Sequence, residues 1–306
     1  MTQTATPTTP RPAGGPLSAI FADIKLSHSV FALPFALIGL VVGTRGRWPD
    51  AAFLAWVLAA MVLARSAAMG FNRLADRRFD ATNPRTRGRA LPAGRVSPRA
   101  MTAFVVACSA GFVAVAGRFG TACLVLAPLV LVVLFAYSLT KRFTALAHAF
   151  VGLALALSPP AAYLAARGSV DADVTGVLLV AGAVLLWVGG FDIIYACQDV
   201  EHDRREGLHS IPSRLGTGRA LAIARAAHVG MIALLALAVH GQGWGTLSWV
   251  AVGLVTVLLV VEHALVWGGD LSRVNAAFFT VNGIVSLVFG ALVVLDLTGR
   301  ADALWP

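Results

Sequence analysis

Residues 174–196 read VTGVLLVAGAVLLWVGGFDIIYA, an apolar run with a single charged residue, Asp192. A bilayer core about 30 Å thick needs roughly 20 apolar residues in a helix that rises about 1.5 Å per residue, so this stretch is long enough to cross one. Leu, Val and Ala fill it without sustained alternation, which favours a helix over a strand of a membrane barrel. Immediately afterwards the chain turns polar, with CQDVEHDRREGLHSIPSR at 197–214.

Working outward, eight more apolar runs lie near 26–43, 51–72, 98–116, 119–138, 144–165, 218–239, 243–267 and 275–297. The chain of 306 residues is 58% hydrophobic and 13% charged, and its mean hydropathy is +0.79. That much apolar surface has no place inside a water-soluble domain, so lipid is the solvent for most of it. The expected fold is all-α, a polytopic bundle of nine transmembrane helices.

The net charge of +9 is unevenly spread. With nine spans, the even-numbered loops share one side, and they hold the basic residues of 73–99, Lys141, Arg142, those of 204–219 and Arg273. The odd loops hold Arg45, Arg47, Arg118 and Arg167. By the positive-inside rule the basic loops and the N-terminus face the cytoplasm. The charge therefore reads as membrane topology in a multi-pass inner-membrane protein, and nucleic acid is not an expected partner. Residues 1–16, rich in Thr and Pro, read as a disordered tail ahead of one domain over 17–306. Cys108, Cys123 and Cys197 lack paired spacing and read as small buried apolar residues.

Two connections are long, Arg-rich and broken by Gly and Pro, and each opens with Asp-x-x-x-Asp: Asp76/Asp80 and Asp199/Asp203. A helix continuing past the second span aligns Arg65, Asn72, Asp76 and Asp80 within roughly 80° of one another. The i,i+7 and i,i+4 spacings of a helical face likewise align Asp192, Tyr195, Asp199 and Asp203. Carboxylates at i and i+4 repel, more so where water is scarce, so a positive species is expected between them. Mg2+ takes oxygen ligands and is typically held by one or two carboxylates together with substrate phosphates. Asp76, Asp80, Asp199 and Asp203 are therefore the expected metal ligands and catalytic residues, around a diphosphate whose remaining charge Arg85, Lys141 and Arg142 would neutralise.

A charge at mid-bilayer costs roughly 2.5 to 3.5 kcal/mol, so Arg65 and Asp192 need partners or a wet cavity, and a place on the acidic stripes gives them both. They join Asn72 and Tyr195 as expected substrate-binding residues, with His28 a candidate for the cavity lining. Arg225, Glu262, His148, His228 and His263 read as helix-packing or helix-end residues.

These segments resemble the UbiA superfamily of intramembrane prenyltransferases. The resemblance rests on Asn72, Asp76 and Asp80 after the second span and Asp199 and Asp203 after the sixth, with FALPFALIG at 31–39, RTRGRALPAG at 85–94, YSLTKRFT at 137–144 and YACQD at 195–199. Within it the chain is most similar to 4-hydroxybenzoate polyprenyltransferases, and FNRLADRRFDATNPRT at 71–86 is similar to relatives in menaquinone biosynthesis by the futalosine route. The resemblance implies nine helices around a central cavity capped by the acidic loops. It implies Mg2+-assisted departure of diphosphate from a polyprenyl diphosphate and attack on the allylic cation by an aromatic acid, in ubiquinone or menaquinone biosynthesis. Arg73 stands where many relatives have Asp, and His209 where many have Lys, which leaves the metal count open and weakens one basic contact. Rival readings are a UbiA-type enzyme with another acceptor, haem among them, and a secondary transporter.

Overall fold

The structure is a computed structural model that describes residues 15–24 and 31–305. Residues 1–14 of the expected tail and His28 lie outside it. Among the described residues there is no strand. The helices are α1 (Pro16–Ile24), α2 (Leu33–Gly43), α3 (Ala51–Thr82), α4 (Pro98–Ala116), α5 (Thr121–Thr140), α6 (Ala147–Ala156), α7 (Ser158–Arg167), α8 (Val174–Ala196), α9 (Val200–Arg205), α10 (Ile211–Leu215), α11 (Thr217–Gly241), α12 (Thr246–Leu265), α13 (Asn282–Gly299) and α14 (Ala301–Leu304). A π-helical turn, Ala276–Val281, leads into α13.

Eight helical segments are long and apolar enough to cross a membrane, where nine were expected. The difference is α2, an apolar helix of 11 residues that rises only about 16 Å. The apolar run predicted to form that span began at residue 26, and residues 25–30 are not described. α6 and α7 are halves of one crossing, divided at Leu157 just before the Pro159-Pro160 pair, whose rings break the backbone ladder.

The ends of these elements follow local chemistry. The Asp50 carboxylate accepts from the Phe53 amide at 2.8 Å and starts α3, while the Ser97 hydroxyl accepts from Ala100 with Pro98 following it, and starts α4. α3 is 32 residues long, about 48 Å, so it outruns the bilayer core and carries its last turns, with Asp76 and Asp80, into the polar loop region. It stops at Asn83, the residue before Pro84.

α8 is the axis of the bundle: 67% of its most apolar window is buried, against 11% for α5. A helix apolar on all sides belongs in the middle, and Trp187, Val184 and Val188 of α8 pack with Phe35 of α2, Leu235 of α11 and Phe289 of α13 in the largest core cluster. Glycines let backbones touch. A Cβ on Gly152 would overlap the Leu185 carbonyl of α8, one on Gly39 the Pro159 carbonyl, and one on Gly290 would collide with Pro34. Val125, Val132, Val229, Val257 and Val260 point outward and are each at least 60% exposed, as a lipid-facing belt requires.

Candidate active site

A cavity of about 1470 Å³ runs between α3, α5, α6, α7 and α8. One end is polar, lined by Arg65, Asn72, Asp76, Asp80, Arg85, Lys141, Arg142, Asp192, Tyr195, Asp199 and Asp203, so every residue of the two stripes faces one space. From there it continues past Val130, Leu155 and Ala161 to Leu164, Val174 and Leu178, a mostly apolar stretch in which the Ser158 hydroxyl donates to the Leu155 carbonyl and the Tyr163 hydroxyl to Asp171. Beyond them lies a polar knot. The Asp171 carboxylate accepts from the Tyr163 hydroxyl and from Nε and Nη2 of Arg167, which draws its pKa down to about 2.

On α3, Asn72 is oriented by its neighbour. Arg73 Nη1 donates to Asn72 Oδ1 at 3.0 Å, which leaves Nδ2 to donate to Asp76 Oδ2 at 2.8 Å. Arg73 itself is 6% exposed and lies across Asp23 of α1, with Nε 3.3 Å from a carboxylate oxygen and Nη2 donating to the Asp23 carbonyl. Arg73 thus serves as a strut between α1 and Asn72. Arg89 Nη1 donates to both oxygens of Asp80, at 2.7 and 2.9 Å.

The second cluster is built on a broken helix. α8 ends at Ala196, a 3-10 turn covers Cys197–Asp199, and α9 carries Asp203. Arg85 grips Asp199 with Nη2 at 2.6 Å and Nε at 3.2 Å, and Asn83 Nδ2 adds a bond at 3.3 Å. The guanidinium of Arg85 also lies 5.4 Å from the Tyr195 ring centre and donates to its hydroxyl. Asp203, 2% exposed, accepts from the Ser210 hydroxyl at 2.7 Å. Ser210 in turn caps α10 through a reciprocal pair with Ser213.

Lys141 and Arg142 close the polar end from the α5–α6 turn. Burial works against the Lys141 charge, but Asp203, Asp192, Asp199 and Asp76 outweigh it and hold the pKa above the ordinary lysine value. Arg142 Nη2 donates to the Ala75 carbonyl at 2.7 Å and lies over the Phe79 ring. His209 donates its backbone amide to the Lys141 carbonyl, and its ring meets Arg214. Arg65 faces the cavity with a buried Nε that has no hydrogen-bond partner.

His148, read from sequence as a packing residue, belongs to the site. It is 1% exposed, its Nδ1 lies 2.7 Å from Asp192 Oδ2, and its Nε2 accepts the Ile211 amide at 3.3 Å. That amide fixes the tautomer: Nδ1 carries the proton and donates to Asp192. Arg89, Asn83 and Ser210 were also not singled out as partners of the acids. For His148 the available signal was a titratable residue inside an apolar span.

Among the described residues, no three acidic, His or Cys groups converge closely enough to make a metal cage by themselves. The predicted ligands Asp76, Asp80, Asp199 and Asp203 instead stand around one space, with two of them held by arginines. Such an arrangement suits a cation whose remaining oxygen donors come from an anionic ligand.

Residues 32–284 match the UbiA prenyltransferase family. The chain is 31% identical over 271 residues to a 4-hydroxybenzoate octaprenyltransferase of Methylococcus capsulatus, covering 88% of each protein. It is 31% identical over 241 residues to a 4-hydroxybenzoate octaprenyltransferase of Citrobacter koseri, covering 76% of this chain and 81% of that one. The apo structure of a UbiA homolog from Aeropyrum pernix K1 aligns with a TM-score of 0.80 at 36% identity, over 89% of this chain and 99% of that one. A UbiA homolog from Archaeoglobus fulgidus bound to GPP and Mg2+ has the same fold, with a TM-score of 0.73 at 17% identity over 92% and 99% of the two chains. The motif spacing, the helical bundle and these matches agree: the chain belongs to the UbiA prenyltransferase family.

Proposed function

We propose that this membrane enzyme transfers a polyprenyl group from its diphosphate to an aromatic acid such as 4-hydroxybenzoate or a related quinone precursor, at the cytoplasmic face of the inner membrane. One observation carries the reading: a cluster of acids and bases opens directly into a long apolar cavity, which matches a molecule with a diphosphate head and a hydrocarbon tail. The relatives in Methylococcus and Citrobacter support the acceptor class.

The four carboxylates are hard oxygen donors and fit Mg2+ whose remaining ligands are phosphate oxygens and water. Asp76, Asp80, Asp199 and Asp203 would hold it, and when bound it supplies positive charge that offsets the diphosphate and eases its departure. The chain's own residues do the rest. Arg85 and Arg89, now on Asp199 and Asp80, are placed to exchange those carboxylates for phosphate oxygens. Lys141 adds a fixed positive charge. Arg65, with its free buried Nε, suits the carboxylate of the acceptor. The apolar walls keep water from the allylic carbon while the C1–O bond breaks and the ring attacks.

The test is incubation of membranes containing the protein with Mg2+, a labelled polyprenyl diphosphate and a panel of aromatic acids, with and without chelator. Prenylated 4-hydroxybenzoate or a close analogue, lost with chelator, is the expected result. Absence of product from every acceptor would overturn the proposal.

A further inference from the structure

Between α8, α12 and α13 lies a polar chain that the reaction as described does not use. Trp187 Nε1 donates to Asn282 Oδ1 at 2.6 Å, and Asn282 Nδ2 donates to Glu262 Oε1 at 2.8 Å and to the Ala277 carbonyl at 3.1 Å. Trp187, Asn282 and Glu262 are each 0% exposed, and Glu262 Oε2 has no hydrogen-bond partner. Burying an acid and an amide at this depth is unfavourable, so a role beyond filling space is expected of them.

The Ala277 bond shows what that role is. Ala277 sits in the π-helical turn, a winding that is rare and found mostly at functional sites. Asn282 clamps this turn by its carbonyl. The turn presents Phe278 to the cavity, with its ring centre 4.2 Å from Tyr195 and 5.1 Å from Phe191. At the other end of the chain, Trp187 packs edge-on against Phe191 at 5.1 Å. One hydrogen-bonded chain therefore supports the wall Phe191–Tyr195–Phe278 from both sides. Through Tyr195 this wall adjoins Arg85 and Asp199, where the diphosphate head is placed.

We infer that Trp187, Asn282 and Glu262 are positioning residues that hold this aromatic wall closed over the allylic carbon, so that the aromatic acceptor rather than water captures it. The inference rests on the prenyl-transfer reading above. When the C1–O bond breaks, its electron pair leaves with diphosphate. The acceptor ring then supplies a pair to form C1–C and loses its ring proton, or water supplies a pair to form C1–O and, after losing a proton, leaves prenyl alcohol. Aromatic faces attract a cation and exclude water, so a displaced wall favours the second outcome.

The experiment measures the ratio of prenyl alcohol to prenylated acceptor formed from labelled diphosphate by purified, Mg2+-supplemented full-length enzyme. Asn282→Leu and Phe278→Leu are each expected to raise the ratio about tenfold, and the double variant no further. Glu262→Leu should raise it likewise, whereas Glu262→Gln, which keeps the oxygen that accepts from Asn282, should restore a ratio near wild type. Trp187→Phe, which keeps the ring and loses the N–H, covers the case in which Asn282→Leu does not fold. Unchanged ratios in the folded variants, or effects of Asn282 and Phe278 that multiply, would overturn the inference. If the wild-type enzyme itself yields no product from any acceptor, the prenyl-transfer reading fails instead.

Discussion

The two acidic clusters carry the same spacing and hold their carboxylates in opposite order. Asp76 and Asp80 ride one unbroken helix, so the distance between them is set by helical geometry alone. Asp199 and Asp203 lie on either side of the junction between a 3-10 turn and α9. In the first pair the leading acid is held by a neutral amide, Asn72, and the trailing one by Arg89; in the second, Arg85 holds the leading acid and the Ser210 hydroxyl the trailing one. Both arginines come from the α3–α4 loop. The first cluster is therefore placed by its own helix, whereas the second depends on a loop that belongs to the first.

The largest break in this comparison comes from removing an acid on either side. Asp76→Ala and Asp199→Ala are each expected to lower kcat/KM by about a thousandfold or more, with the purified protein still helical by circular dichroism. Substantial turnover in only one of them would show that the clusters do not act as one site. The arginines sharpen the contrast at intermediate size. Arg85→Ala removes the grip on Asp199 and the contact with Tyr195, and is expected to raise KM for the diphosphate roughly 10- to 30-fold; Arg89→Ala, whose acid stays in place on α3, only a few-fold. Steady-state kinetics on both variants decide this, and equal effects would erase the asymmetry.

The smallest effect concerns pH. The folded protein raises the Lys141 pKa above its ordinary value of about 10.4, so whatever stability its charge adds is fully present below that value. It is lost only as pH climbs through the higher folded value. Thermal midpoints of wild type and Lys141→Met should differ by a constant amount from about pH 7 to about pH 9. A difference that shrinks within that window would show the ammonium is not held by the acids around it.

Much of this was legible because helices repeat. The i, i+4 and i+8 spacings of Asn72, Asp76 and Asp80 state which residues share a face of α3, while Asp192, Tyr195, Asp199 and Asp203 span a break in the helix and still line the same cavity. Hydropathy was sufficient for the long spans; at α2 the apolar run from residue 26 includes residues outside the described ones, and the described helix is 11 residues long. Partnerships between distant segments leave no periodic trace. Nothing in the spacing ties His148 to Asp192, Arg85 to Asp199 or Asn282 to Trp187, pairs that lie 44, 114 and 95 positions apart. The π-helical turn was hidden for a related reason, since the asparagine that bonds its Ala277 carbonyl also bonds residues 95 and 20 positions away.

A hollow that starts among charged groups at one face and reaches Leu164 and Val174 toward the other is, from the cell's side, an incipient leak. Ions that entered it would dissipate the transmembrane voltage. The apolar middle resists wetting, as hydrophobic constrictions in channels do. The knot of Tyr163, Arg167 and Asp171 lies past that apolar middle, with Tyr163 lining the hollow and tied to Asp171. A hollow with such a middle suits a hydrocarbon tail and disfavours a hydrated ion.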